Sequence, residues 1–329
     1  MTRPLLALTM GDPSGIGPEV LVRAVGGAPA RCVALGDPAI LAEAAARFAP
    51  ELRVAPRAAP EDVSGEEGLL EVLSTGLLDE ELVAGEVRPA SGEAACRAVF
   101  EGIELALAGR VQGLVTAPLN KEALAAAGHA WPGHTELLAE RAGAERVAMM
   151  MVGDRLRVVL ATIHCALAEV PGRLSVETEL EAIRFASAGA RACGIERPRI
   201  AVAGLNPHAG EGGRFGREEL EVLAPAVQQA RAEGLEVTGP LAGDTVFLAA
   251  REGAFDVVVA QYHDQGLIPV KLEGLDRGVN VTLGLPFVRT SPDHGTAFDR
   301  AWQGTANPGS MRRAIEVAAQ LATSRSVGL

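Results

Sequence analysis

The stretch FDVVVAQYHDQG, Phe255–Gly266, runs five apolar residues almost unbroken into an abrupt polar end. A short apolar run without alternation predicts a strand buried on both faces, as in a parallel sheet covered by helices. His263 follows within three residues of the predicted strand Phe255–Ala260. The same arrangement recurs twice upstream. RVVLATIHC predicts a strand over Arg157–Ile163 that ends at His164, and RIAVAGLNPH predicts one over Arg199–Ala203 that leads to His208. Further buried strands are expected at Leu5–Met10, Arg31–Leu35, Gly113–Thr116 and Val147–Val152. Between them, Glu19–Val25, Ile40–Phe48, Glu93–Ala108, Thr135–Arg141, Ser175–Cys193, Arg217–Glu233 and Met311–Thr323 carry a helical period. Buried strands alternating with helices define an α/β protein with a largely parallel sheet. The Pro/Glu/Ala-rich segment Arg53–Gly68 reads as a surface excursion.

Bulk composition narrows the function classes. The 329 residues carry 30 Lys+Arg against 42 Asp+Glu, a net charge of −12 that argues against nucleic-acid or anionic-membrane surfaces. Any anionic substrate must therefore meet a locally gathered set of cations. Aromatic residues are only 3%, so the core must be built from Ala, Leu and Val. Cys32, Cys96, Cys165 and Cys193 are widely spaced, without a C-x-x-C pair, which suggests a reducing compartment. No run approaches the ~18 apolar residues of a membrane span. The opening MTRPLLALTMGD lacks a signal-peptide core and cleavage site, so a cytoplasmic protein is expected.

The odd residues sit where parallel sheets build sites, beyond the carboxyl ends of strands. Three imidazoles at three strand ends could share one metal ion and act on a substrate hydroxyl. Each could equally be a hydrogen-bonded loop or core histidine, and spacing alone leaves the two readings balanced. TMGDPSGIGPEV, Thr9–Val20, is a strand, a Gly/Pro loop and a helix start suited to an anion, or simply a turn. It does not fit G-x-G-x-x-G, and neither does Gly210–Gly216. Lys271, Asn280 and Arg289 are candidate binders of phosphate or carboxylate, and Arg289 stands between an apolar run and a Ser-Pro turn. Asp293-His294-Gly295-Thr296, with Ala306-Asn307-Pro308-Gly309, has the character of a cofactor loop. TAPLNK and GHTE place Lys121, His134 and Thr135 after another strand, although Thr135 could simply cap a helix.

Taken in order, MGDPSGIGPE, TAPLNK, GHTE, ATIHC, GLNPHAGEGG, GDT, YHDQGLIPVK, DRGVNVTLGLPFVRTSPDHGTAFD and ANPGS resemble the 4-hydroxythreonine-4-phosphate dehydrogenase family over nearly the whole chain. The resemblance implies an isocitrate/isopropylmalate dehydrogenase-like fold, with two α/β/α domains flanking a cleft and a nicotinamide cofactor bound without the Rossmann fingerprint. It implies that His164, His208 and His263 hold a divalent metal, with zinc first and magnesium, cobalt or manganese as alternatives. His134, Thr135, Lys271, Asn280 and Arg289 would hold the phosphorylated substrate. Asp244 or Lys271 would handle the proton, and Asp293, His294, Gly295, Thr296 and Asn307 would meet NAD or NADP. The expected assembly is a homodimer whose active site is shared across the interface. By the same analogy, residues 1–112 with 240–329 form a cofactor-side domain, and 113–239 a central dimerisation and metal-site domain.

Two departures from the family pattern stand out: Asn120 where some relatives have His, and Ala301-Trp302-Gln303-Gly304 where a Gly-Lys pair is common beside the cofactor. The implied reaction is oxidation of the 3-hydroxyl of 4-phosphohydroxy-L-threonine, then decarboxylation to 3-amino-2-oxopropyl phosphate. The rival is a paralogous dehydrogenase of 4-phospho-D-threonate or 4-phospho-D-erythronate, since such pockets differ by only ~1–3 kcal/mol. A metal-binding phosphosugar sensor without catalysis would have no use for the Asp293–Asn307 segment.

Overall fold

The computed structural model describes residues 3–78, 80–131, 133–274 and 276–324, which include every candidate site residue. Contact density divides the chain into two compact units, residues 1–147 with 285–323 and residues 148–284. The sequence-based borders at 112/113 and 239/240 fall inside these units. Gly113–Thr116, for instance, pairs in register with strands on either side of it in the first unit.

The first unit opens with β1 (Leu5–Thr9), α1 (Gly17–Ala24), β2 (Arg31–Gly36), α2 (Pro38–Phe48), β3 (Arg53–Arg57) and β4 (Leu69–Ser74). It continues through α3 (Pro89–Leu107), β5 (Gly113–Thr116), α4 (Lys121–Ala126) and α5 (His134–Ala142). The second unit holds β6 (Ala148–Val152), β7 (Arg157–Leu160), α6 (Val170–Arg173), α7 (Val176–Ala192), β8 (Ile200–Ala203) and α8 (Ala224–Ala232). Next come β9 (Val237–Leu241), α9 (Gly243–Arg251), β10 (Val257–Ala260), α10 (His263–Leu272) and β11 (Val279–Leu283). The chain then returns to the first unit as β12 (Val288–Pro292) and α11 (Gly309–Thr323).

In the first unit the order β3-β4-β2-β1-β5-β12 is parallel throughout. In the second the order is β11-β6-β7-β10-β8-β9, with β6 antiparallel to both neighbours and β7, β10, β8 and β9 parallel. The apolar strand runs are buried as their patterns require, and the helices cover them with Ala, Leu and Val. Val33, Leu35, Ile103 and Leu114 pack in the first core, and Val158, Ala201, Val258 and Leu267 in the second. Local chemistry sets the helix starts: Asp37 accepts from the Ala39 amide before Pro38 opens α2, and Ser175 and Thr178 cap α7 reciprocally.

Segment Arg53–Gly68 departs from expectation. It contains β3, whose Arg53–Arg57 pairs with Leu69–Leu73 of β4. Pro56 is tolerated because β3 ends the strand order, where one side needs no ladder donor. The rest of the segment is tied down by buried Glu71, which accepts from the amides of Ser64 (3.0 Å) and Gly65 (2.9 Å) and from Arg57 (2.8 Å).

Candidate active site

In the second unit, β7, β10 and β8 are adjacent and parallel, so their carboxyl ends lie side by side. His164, His263 and His208 follow these three ends. β7 stops at Leu160 rather than Ile163, and His164 sits in a loop with φ +28°. His208 has φ +53° in the turn after β8, followed by Ala209 at +52° and Glu211 at +46°. Left-handed backbone at non-glycine residues costs about 1–3 kcal/mol each and is kept where position matters more than comfort. His263 opens α10, with its Nδ1 2.7 Å from Asp264 Oδ1. A carboxylate on one ring nitrogen fixes the ring and leaves the other available as a ligand.

The His164 and His263 ring centroids are 5.7 Å apart. They line a cavity of about 380 Å³ with Tyr262 and Asp264. His208 lines an adjoining cavity of about 610 Å³ with Asp244, and Tyr262 and Asp264 border both. Two imidazoles are thus brought together. Among the described residues, no group of three His, Cys, Asp or Glu is gathered closely enough to hold an ion as it stands. The donor types nevertheless fit a borderline divalent cation. Lys271 lies in the last turn of α10, and Asn280 lies in β11 opposite Met151, its buried Oδ1 lacking a hydrogen-bond partner.

In the first unit, Arg289 lies inside β12 and is only 2% exposed. Its guanidinium donates to Thr116 Oγ1 at the end of β5, 2.7 Å away. Burial pulls the guanidinium down to about 9, which leaves it cationic at neutral pH. His134 begins α5, and its Nε2 is buried with no partner. Burial, and then the nearby Arg289 cation, hold His134 well below the usual imidazole range, so it is neutral. A buried cation beside a neutral ring that can donate one hydrogen bond is an arrangement suited to a phosphate. Gly133, not Thr135, caps α5, so Thr135 lies in the first turn, and Asn120 accepts from the Ala123 amide to cap α4.

The loop after β12 is stitched onto the glycine loop after β1. The Ile16 amide donates to Thr296 O at 3.0 Å. A Cβ on Gly15 would stand 2.9 Å from Thr296 Cβ, which requires glycine there. Buried Glu19 accepts from the amides of Gly304 (3.1 Å) and Ala306 (2.9 Å), and Trp302 Nε1 donates to Pro13 O at 2.8 Å. Asn307 Oδ1 accepts from the Gly309 amide at the start of α11, and the Asp293 amide donates to Ser310 Oγ. His294 donates from Nδ1 to Gly295 O, while burial lowers its pKa and leaves Nε2 without a partner. Trp302 packs its ring 5.8 Å from Phe48 and 5.6 Å from the Arg47 guanidinium.

Residues 28–318 match the family of pyridoxal phosphate biosynthetic protein PdxA. The chain belongs to this family. A 4-hydroxythreonine-4-phosphate dehydrogenase of Beijerinckia indica is 54% identical over 96% of the chain and 94% of the relative. A D-threonate 4-phosphate dehydrogenase of Salmonella typhimurium is 48% identical over 98% of the chain and the relative's full length. The crystal structure of a Klebsiella pneumoniae 4-hydroxythreonine-4-phosphate dehydrogenase superposes with a TM-score of 0.90 at 45% identity, covering 97% of this chain and 98% of the other. The fold of this PdxA-family chain is therefore the isocitrate/isopropylmalate dehydrogenase-like one.

Sequence reading passed over several residues of these two regions. Asp264 stands beside His263, and a carboxylate next to a candidate ligand was the available signal. Thr116 and fully buried Asp12 end β5 and follow β1. Burial pushes the Asp12 carboxyl up to about 6. Both stood inside the quoted motifs.

Proposed function

We propose that this chain oxidises the 3-hydroxyl of 4-phosphohydroxy-L-threonine with NAD or NADP, and that the resulting β-keto acid loses carbon dioxide to give 3-amino-2-oxopropyl phosphate. The observation that carries the phosphorylated-substrate part is the buried Arg289 cation beside neutral His134, in a chain whose net charge is −12. Arg289, His134 and Thr135 receive the phosphate, with Lys271 and Asn280 as further substrate contacts. His164, His208 and His263 hold the divalent metal, zinc first. When bound, that ion favours negative charge on the substrate oxygen, first as the hydroxyl loses its proton and later during decarboxylation. Asp244, exposed on the wall of the His208 cavity, and Lys271 are the two groups that can take or return the proton. Asp293, His294, Gly295, Thr296 and Asn307 meet the nicotinamide cofactor, which accepts the hydride.

The active form is inferred to be a cytoplasmic homodimer. Ile268 and Leu272 are exposed four residues apart on α10, which supports covering this helix face with a second copy. Among the described residues no helix is long and apolar enough to cross a membrane.

The full-length likeness to a D-threonate 4-phosphate dehydrogenase supports one second reading, oxidation of 4-phospho-D-threonate or 4-phospho-D-erythronate. Formation of NADH or NADPH, followed by absorbance with each substrate and with and without chelator, decides between them. Chelator-sensitive turnover of 4-phosphohydroxy-L-threonine alone is the expected result. Turnover of a D-substrate alone moves the protein to the second reading. Inactivity with all substrates in folded, metal-loaded protein rejects both.

A further inference from the structure

Beneath the three histidine-bearing strand ends lies a carboxyl that the reaction does not use. Glu179, on α7, is fully buried, and burial pushes its pKa up to about 7 against the opposing bond from Gln261. Its Oε1 accepts from Gln261 Nε2 at 3.2 Å. Glu179 Oε2 and Gln261 Oε1 are both buried without hydrogen-bond partners. These two oxygens belong to the same acid–amide pair. A proton on Oε2 would supply this pair with the donor it lacks, whereas an ionised carboxylate would leave both oxygens as acceptors without donors in an apolar interior.

Gln261 is also the hub of the strand ends. Its side-chain Nε2 donates to Ala203 O at the end of β8 (2.9 Å), and its main-chain carbonyl accepts from Thr162 Oγ1 after β7 (2.7 Å). Its main-chain amide donates to Gln265 Oε1 (2.6 Å), and Gln265 Nε2 donates to Gly204 O (2.7 Å). Thr162 and Gln261 stand two residues before His164 and His263, and Gly204 four residues before His208. We propose that Glu179 and Gln261 form a positioning pair that locks these three strand ends together, so that His164, His208 and His263 address one divalent ion. The inference rests on the reading of the three histidines as metal ligands. Packing alone would be served by an apolar side chain at 179. A buried acid earns its place only through the amide it orients.

The test is Zn²⁺ affinity of the metal-stripped full chain, measured by competition with a chromophoric chelator alongside far-UV circular dichroism. Glu179→Gln reproduces the neutral acid, since its amide both donates and accepts across the pair, and should bind as wild type does. Glu179→Leu and Gln261→Leu should each weaken binding by about 10–100-fold, the range for outer partners of metal ligands. The double variant should be no weaker than Gln261→Leu. Wild-type affinity in folded Glu179→Leu overturns the proposal, and so does a Glu179→Gln variant as weak as Glu179→Leu. If Glu179→Leu does not fold, Gln261→Leu decides: about tenfold or greater weakening in the folded variant supports the proposal, and wild-type affinity overturns it. A wild-type chain that takes up no Zn²⁺ removes the three-histidine reading itself. Binding by wild type with unaltered variants removes only the positioning pair.

Discussion

The two groups of strand ends place their functional side chains by opposite means. In the first unit, Arg289 projects from within β12, held by the β5 ladder and by Thr116, so its position follows from the sheet. In the second, the three histidines come after their strands have ended, two of them on left-handed backbone, and hydrogen bonds beneath hold the loops. A charge fixed in a strand is preorganised for one anion geometry. Ligands on strained loops keep the short-range freedom by which an ion can draw them to its own distances. The first region therefore tests as a rigid binding element and the second as an adjustable one.

The largest effect should come from the adjustable side. His208→Gly removes a proposed ligand and relieves left-handed strain at φ +53°. Turnover and metal retention should fall by more than the roughly 10–100-fold that outer partners command, while thermal stability is equal or higher. Wild-type metal content in this variant would remove His208 from the ligand set. A lowered melting temperature would show that the turn is not strained.

The rigid side comes next. Arg289→Ala should cost about 2–5 kcal/mol in kcat/KM, expressed mainly as a higher KM for phosphorylated substrate, because it strips the anion of a desolvated partner. Arg289→Lys should recover little, since a point charge does not replace the planar fork. An unchanged KM in Arg289→Ala would move the phosphate elsewhere and dissolve the contrast between the two regions.

What was legible in the sequence follows the same division. VVVA, RVVL and IAVA were read as buried strands because unbroken apolar runs leave few alternatives, and their histidines were located with them. β11 (VNVTL) and β12 (VRTSP) were not, since both place polar side chains in the strand, although Arg289 itself was noticed as a misplaced charge. β3 hid behind Pro56 and a charged composition that only an edge strand tolerates. The positive φ at His164 and His208 leaves no trace in residue type. Glu179 lay in VETELEAIR, where a helical period makes every Glu look solvated. Its burial depends on which face of α7 meets β7 and β10, and that is a tertiary fact.

The smallest contrast concerns two buried carboxyls whose pKa burial raises, Asp12 after β1 and Glu179 under the histidine strand ends. Burial raises Asp12 from 3.8 to about 6 and Glu179 from 4.5 to about 7. In both cases the native state holds a proton that the unfolded state releases. Their contribution is therefore fully present below pH 4 to 4.5 and lost as pH rises through about 6 for Asp12 and about 7 for Glu179. At 1.36 kcal/mol per pH unit, each ionisation costs the native state about 3 kcal/mol by pH 8, slightly more for Glu179. Glu179→Gln should flatten the stability profile of metal-free protein between pH 4.5 and 7, and Asp12→Asn between 3.8 and 6. Denaturant unfolding at pH 5 and pH 8 measures both. An unchanged slope in Glu179→Gln would mean that the carboxyl is ionised in the folded protein. The acid–amide pair would then be a charged one, and the substitution should also disturb Zn²⁺ binding. A flattened slope with undisturbed Zn²⁺ binding is the combination expected of a neutral acid whose only task is to hold an amide.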